Sequence, residues 1–359
     1  MLALLLKEYR QKYGITQEQL ASDLTVDVRT LRRWENQETI IKDKEELRRL
    51  ASKLGIESER LGLIAESITD KQASETLEHI WSLVDDGRVW EARSIAERLV
   101  SDLQTKARQT GSAEDLHRLA LAHHASAYTK AMNTRVSEIQ FPLKSYQDME
   151  EAARLAGDSL LTALALTYEG DMYNRTGDVE KGLPLLLAAV EAVPPDDIAA
   201  KGNALQLIGR AHFKAGNRRE FERAMKASED LAGQLTEKEI TRGQYGLISV
   251  YEEYAKSYGL AGQAQKASDY LEKAYALGVP DTHWEMVLKT TNVMILIRGG
   301  EIQAGTSLAL ACIEECRRFG TIRLLERMYS THRYLQYMKN SVGKAADALS
   351  DALNGPVEF

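Results

Sequence analysis

The chain has 359 residues, 44% of them hydrophobic, which is room for two or more domains with a sizeable core. Six prolines, 7% aromatics and no long β-branched run argue against a sheet protein and predict an all-α chain. A net charge of −7 argues against uniform nucleic-acid coating, and two cysteines argue against a disulfide-stapled secreted scaffold and favour a reducing compartment.

The charge is unevenly spread. Residues 1–64 hold 12 basic and 11 acidic side chains, a net of +1, so the acidic excess lies outside the N-terminal segment. The apolar start, Met1 to Leu6, is interrupted by Lys7, Glu8 and Arg10, and no cleavage site follows. No stretch approaches the length of a membrane span, so a cytoplasmic protein with no membrane partner is expected.

Five helices fit within residues 1–64. The first runs from about Leu2 to Tyr13 and stops at Gly14. Thr16 caps the second, with Gln19 placed to complete a capping box, and Leu20 and Leu24 supply its buried face. Thr25-Val26-Asp27 makes the turn, and Asp27 caps a third helix from Val28 to about Asn36. Leu31 and Trp34, three apart, face the core and leave Arg29, Thr30, Arg32 and Arg33 outside. Arginine suits such a face, because its planar fork matches guanine edges and bridges phosphates. Val28, Arg29 and Arg32 are therefore expected at bases and Gln17 and Arg33 at phosphates, with Thr30 and Asn36 completing the DNA-facing set. At +1 one such domain grips DNA weakly, and two copies in a dimer are the usual remedy.

These residues resemble a helix-turn-helix domain of the Xre/Cro family. Gly14-Ile15-Thr16-Gln17-Glu18-Gln19-Leu20-Ala21, Thr30-Leu31-Arg32-Arg33-Trp34-Glu35 and Leu50-Ala51-Ser52-Lys53-Leu54-Gly55-Ile56 all fall at the family's spacing. One departure stands out. After Trp34-Glu35 the family usually has a Gly and then a Pro, whereas this chain has Asn36-Gln37-Glu38-Thr39-Ile40-Ile41. The resemblance implies a small five-helix, lambda-repressor-like fold.

After a linker at 65–71, residues 72–355 read as helix pairs. Turn glycines recur at Gly87, Gly177, Gly216, Gly262 and Gly300, the last four spaced by 39, 46 and 38 residues. Such self-similarity marks a helical solenoid. Gly170, Tyr173, Gly177, Gly182, Leu186, Ala189 and Pro194 resemble a tetratricopeptide repeat, with small residues where paired helices cross. Seven pairs are drawn, over 72–107, 113–157, 159–194, 196–232, 237–278, 281–319 and 321–354, in a right-handed TPR-like α-solenoid. Cys312 falls where a repeat wants a small residue, so it and Cys316 read as core.

In such an array the first helix of each pair lines the inner surface. The register places Asp171, Asn174 and Arg175 there, then Asn203, Gln206, Arg210 and Lys214, then Glu252 and Lys256, and finally Thr290, Met294 and Arg298. Amides satisfy a peptide backbone, and Arg or Lys holds a terminal carboxylate.

Catalytic patterns are missing. The chain has no phosphate loop and no His-Glu-x-x-His. His117, His123 and His124 lack partners at ligand spacing, and the adjacent pairs Asp85-Asp86 and Glu314-Glu315 point different ways. No enzyme activity, metal or cofactor is expected.

A reader of this type followed by these repeats resembles the Gram-positive quorum-sensing regulators of the Rap/Rgg/NprR/PlcR/PrgX type. The resemblance implies a homodimeric transcription factor that binds a DNA operator and a short signalling peptide, the peptide lying on the concave repeat surface and altering dimer geometry or DNA engagement. The alternatives are a regulator whose repeats bind a protein partner, and a scaffold or adaptor that does not bind DNA.

Overall fold

The computed structural model describes residues 2–41, 43–56, 68–235 and 245–353. The chain divides into two compact units, Met1–Ile68 and Thr69–Phe359. Among the described residues the regular structure is entirely helical, and no helix is long and apolar enough to cross a membrane.

The first unit contains α1 (Leu2–Tyr13), α2 (Gln17–Leu24), α3 (Val28–Glu35) and α4 (Lys44–Leu54). Its core gathers Leu6, Leu20, Leu24, Leu31, Trp34, Leu50 and Leu54. The caps form as the sequence dictates. Thr16 accepts from the Gln19 amide while Gln19 reciprocates on the Thr16 amide, and Asp27 accepts from the Arg29 amide. The fifth helix expected before residue 64 lies outside the described residues.

The second unit holds six hairpins. They are α5 (Asp70–Asp85) with α6 (Val89–Thr110), α7 (Ala113–Asn133) with α8 (Gln140–Ala156), α9 (Ser159–Thr176) with α10 (Val179–Ala192), α11 (Ile198–Lys214) with α12 (Arg218–Ala232), α13 (Leu247–Leu260) with α14 (Ala264–Ala276), and α15 (Thr282–Gly299) with α16 (Ile302–Phe319). The recurring glycines make the tight turns, Gly177 and Gly300 at φ 89° and 97° in the left-handed region that other residues avoid. Within the α9–α10 hairpin the backbones touch at Gly170 and Gly182. A Cβ on Gly170 would lie 2.9 Å from the Gly182 carbonyl oxygen, and one on Gly182 would lie 2.7 Å from that of Gly170.

The expected seventh pair is instead one helix, α17 (Ile322–Leu353), 32 residues long. No proline interrupts it, and Gly343, the one residue able to turn the chain, stays out of the left-handed region. Nothing therefore stops the helix between its ends.

The two helices of a hairpin differ in burial. Helices α10 and α14 bury a single stripe, Gly182, Leu186 and Ala189 in one and Ala267, Leu271 and Ala274 in the other. By contrast α9 buries every residue from Leu161 to Met172, which means it is covered on all sides. The first helices stack in order, α5 on α7, α7 on α9, α9 on α11, α11 on α13 and α13 on α15. Helix α17 then packs on both α15 and α7, and α15 packs on α5. The array closes on itself. At this seam the Val136 amide donates to Glu326 at 2.9 Å, and the Trp90 indole covers the Gly320 backbone so closely that a Cβ there would collide with it.

Candidate functional sites

In the first unit α3 presents Arg29, Arg32 and Arg33 to solvent, with Leu31 and Trp34 buried beneath. Asn36 is exposed and Thr30 half-buried, while half-buried Val28 packs against the core, leaving Arg29 the first fully presented side chain of the helix. A polar chain fixes the base of this helix. Arg10 donates two hydrogen bonds to Glu35, at 2.7 and 3.0 Å, and Gln17 donates to the same carboxylate at 2.6 Å. Arg32 donates to Gln17 at 3.0 Å and to Glu18 at 2.9 Å. Glu35 is 1% exposed. Burial pushes its carboxyl up, but hydrogen bonds from Arg10 and Gln17 outweigh that and hold it below the ordinary carboxylate range. Gln17 and Arg32, both expected at DNA, thus also connect α2 to α3.

The loop after α3 explains the missing glycine. Gln37 takes φ 62°, the left-handed conformation a glycine adopts freely, and its amide donates to the Trp34 carbonyl. The chain makes this left-handed turn without a glycine.

In the second unit the ring of first helices surrounds a cavity of about 90 Å³ that opens to solvent. Six of the expected inner-face residues line it: Asp171, Arg175, Asn203, Gln206, Arg210 and Glu252. Lys256, Thr290, Met294 and Arg298 line a neighbouring cavity of about 130 Å³ between α13, α15 and α17.

Two expectations need correction here. Asn174 is fully buried against α10 and α11, donating to the Leu207 carbonyl at 3.5 Å, because it points away from Asp171 and toward the paired helix. Lys214 reaches back to the Asn174 carbonyl. Neither lines the main cavity. The inner face is also not an open solvated groove, since Asp171, Asn203, Gln206, Glu252 and Thr290 are buried.

Their charges are organised into a network. Asp171 receives Arg175 at 2.8 Å and Arg210 at 2.5 Å. Arg210 also holds Glu253 at 2.5 Å, and Lys256 joins Glu253 at 2.6 Å. Glu252 accepts from Thr291 at 2.6 Å and Arg327 at 2.9 Å. Burial raises the Asp171 carboxyl, yet the charges of Arg210 and Arg175 overturn this and hold it far below the carboxylate range. Lys256 also moves down, to about 8, through burial and the nearby Arg210 charge. Asn203 donates to the Tyr168 hydroxyl at 3.2 Å, and Gln206 donates to the Ser249 carbonyl at 3.2 Å.

Sequence reading missed Arg323, Arg327, His283 and Trp284, which also line the main cavity. Arg323 and Arg327 stand one turn apart on α17, and that spacing was the available sign. Tyr128, Tyr146 and Tyr168 form an aromatic wall, the last two stacked at 5.3 Å. Cys312 and Cys316 are both buried as free thiols, each in an apolar cluster.

Three of the solved structures similar to this chain illustrate the likeness. The apo form of the competence regulator ComR from Streptococcus vestibularis is 18% identical over 83% of this chain and 98% of that one, with a TM-score of 0.36. PlcR from Bacillus thuringiensis, in complex with the peptide PapR7 and DNA, is 12% identical over 77% and 96%, with a TM-score of 0.36. A Rap protein complexed with competence and sporulation factor is 12% identical over 96% and 98%, with a TM-score of 0.47. No curated protein matches the chain. Residues 6–61 match the helix-turn-helix family model, and the N-terminal unit carries a helix-turn-helix of the Xre type.

Proposed function

We propose that this protein is a DNA-binding transcriptional regulator controlled by a short peptide held in its repeat unit. The observation that carries the first half is the match of residues 6–61 to the helix-turn-helix family, together with the exposed arginines of α3. Arg29 and Arg32 read base edges in the major groove, while Arg33 and Gln17 take phosphates.

The second half is supported by the cavity. Buried amides at Asn203 and Gln206, charged groups at Arg175 and Arg327, and an aromatic wall stand together in one enclosure. A peptide offers amides, charges and apolar side chains at once, so its chemistry matches that mixture. Ligand binding would change the packing of first helices around the ring, and with it the spacing of two DNA-reading units in a homodimer. The exposed apolar residues of α17, Tyr337, Val342 and Leu349, support a second copy as the partner of that helix.

Native mass spectrometry of protein purified from its own host tests this reading. A dimer carrying the extra mass of a short peptide, released on denaturation, is the expected result. A polypeptide partner of protein size in place of the peptide would overturn the peptide half and leave the DNA-binding half intact.

A further inference from the structure

The charge network around the main cavity is unbalanced. Among the described residues that line the cavity or pair with its lining, the cations Arg175, Arg210, Lys256, Arg323 and Arg327 stand with the carboxylates Asp171, Glu252 and Glu253. Four of these five cations reach a carboxylate within hydrogen-bond distance. Arg323 does not. Among the described residues its one polar contact is the Met132 sulfur at 3.7 Å, a weak acceptor.

Arg323 is half-buried at the cavity wall, and a partly desolvated guanidinium with no anion against it is unfavourable. Burial and the neighbouring Arg175 charge draw the Arg323 side chain down to about 9. Beside it stands an unsatisfied group, for the buried His283 Nδ1 has no hydrogen-bond partner. Burial and the Arg323 and Arg327 charges push His283 down to about 3, so its ring is neutral at physiological pH. Tyr128, Trp284 and Val287 supply apolar surface in the same enclosure.

We infer that Arg323 is the seat of a ligand carboxylate, the free C-terminus of a peptide whose last side chain is apolar and packs on Trp284 and Val287. This rests on the peptide-binding reading above. The guanidinium fork matches a carboxylate in two parallel hydrogen bonds, and a singly charged group leaves the other pairs undisturbed. The neutral His283 ring offers the carboxylate or its adjoining amide a further partner. Asp171, Glu252 and Glu253, the carboxylates facing this space, are already engaged by Arg175, Arg210, Lys256 and Arg327, so they do not compete for Arg323.

The test uses N-acetyl-leucine and its uncharged amide, N-acetyl-leucinamide, as probes of the full chain. Thermal unfolding is followed at constant ionic strength, since a ligand that binds only the folded state raises the midpoint. The acid is expected to raise it and the amide to leave it unchanged. Arg323→Gln should abolish the effect of the acid, and Arg323→Lys should retain part of it. Because Arg323 pairs with no carboxylate, Arg323→Gln leaves no acid stranded, and its own unfolding midpoint is expected at or above that of the natural chain. Equal shifts from acid and amide, no shift from the acid, or an acid shift that survives Arg323→Gln would overturn the assignment. A mixture of random heptapeptides separates the two levels. If it stabilises the natural chain and Arg323→Gln alike, the carboxylate seat fails while the peptide reading stands. If it stabilises neither, both fail together.

Discussion

Arg210 on α11 holds Asp171 on α9 at 2.5 Å and, with its other edge, Glu253 on α13, so one guanidinium ties together three successive first helices. Its removal takes from two buried carboxylates their shared cation, leaving Asp171 with Arg175 and Glu253 with Lys256. Arg210→Ala should therefore destabilise the repeat unit by about 3–5 kcal/mol, read as a lower urea midpoint. A double change with Asp171→Asn should recover part of the loss. Asn203→Ala removes one neutral hydrogen bond to Tyr168 and should cost about 1 kcal/mol. It is the cleaner probe of ligand binding, expected to weaken the ligand while leaving the fold and DNA affinity intact.

The DNA-reading face predicts two kinds of loss. Arg29→Ala should remove sequence discrimination worth about 1–3 kcal/mol, measured by anisotropy on selected operator fragments against random DNA. Arg33→Ala should weaken all sequences alike and lower the salt slope by about one. Unchanged discrimination in Arg29→Ala would remove that residue from the base-reading set.

Gln37 sits at φ 62°, where a side chain crowds the backbone. Gln37→Gly should relieve this and raise the stability of the first unit by about 0.5–1 kcal/mol, even though the added backbone freedom of glycine works against it. Chemical denaturation of the two forms gives the answer directly.

Glu35 is buried beneath Arg10 and Gln17, and its carboxyl is held below the ordinary range. A carboxyl of this kind stabilises the folded state above its unfolded value, and the stabilisation disappears as pH falls through the lowered folded value. Glu35→Ala should cost about 2–3 kcal/mol at neutral pH and progressively less in acid. A loss independent of pH would show that packing, and not the ion pair, fastens α3 to α1.

Glu169 on α9 behaves in the opposite sense. Burial and the charge of Glu150 push its carboxyl up to about 8, and its Oε1 finds no hydrogen-bond partner. The folded state then holds a proton that the unfolded chain releases near 4.5, so stability should fall as pH rises from there through 8. Glu169→Gln should flatten that slope and leave the variant more stable above pH 8, by on the order of 2 kcal/mol. Parallel pH profiles of the two proteins would contradict this.

Some of these features are local and were legible in the sequence. Thr16 with Gln19 spells a cap, the glycines at 177 and 300 spell turns, and Leu31 with Trp34 spells a buried stripe, because each depends on neighbours within one or two helical turns. Six of the residues assigned to the inner face line the main cavity. The register failed at Asn174, where a three-residue step turns the side chain toward the paired helix. Arg323 and Arg327 escaped notice because their place depends on α17 returning to α7; their one-turn spacing marks a shared face of the helix but not a contact between segments 190 residues apart. Gln37 went unread for a different reason. Its side chain says nothing of the backbone it adopts.

The joined ends of the repeat array change how it must come apart. A linear stack of hairpins frays from its terminal members, and each repeat protects only the next. Here α17 rests on α7, and Trp90 lies over Gly320, so neither terminal hairpin is free to peel away alone. The bracelet has a clasp. Amides of α6 and α16 should exchange with solvent at rates near those of α11, in a single cooperative opening.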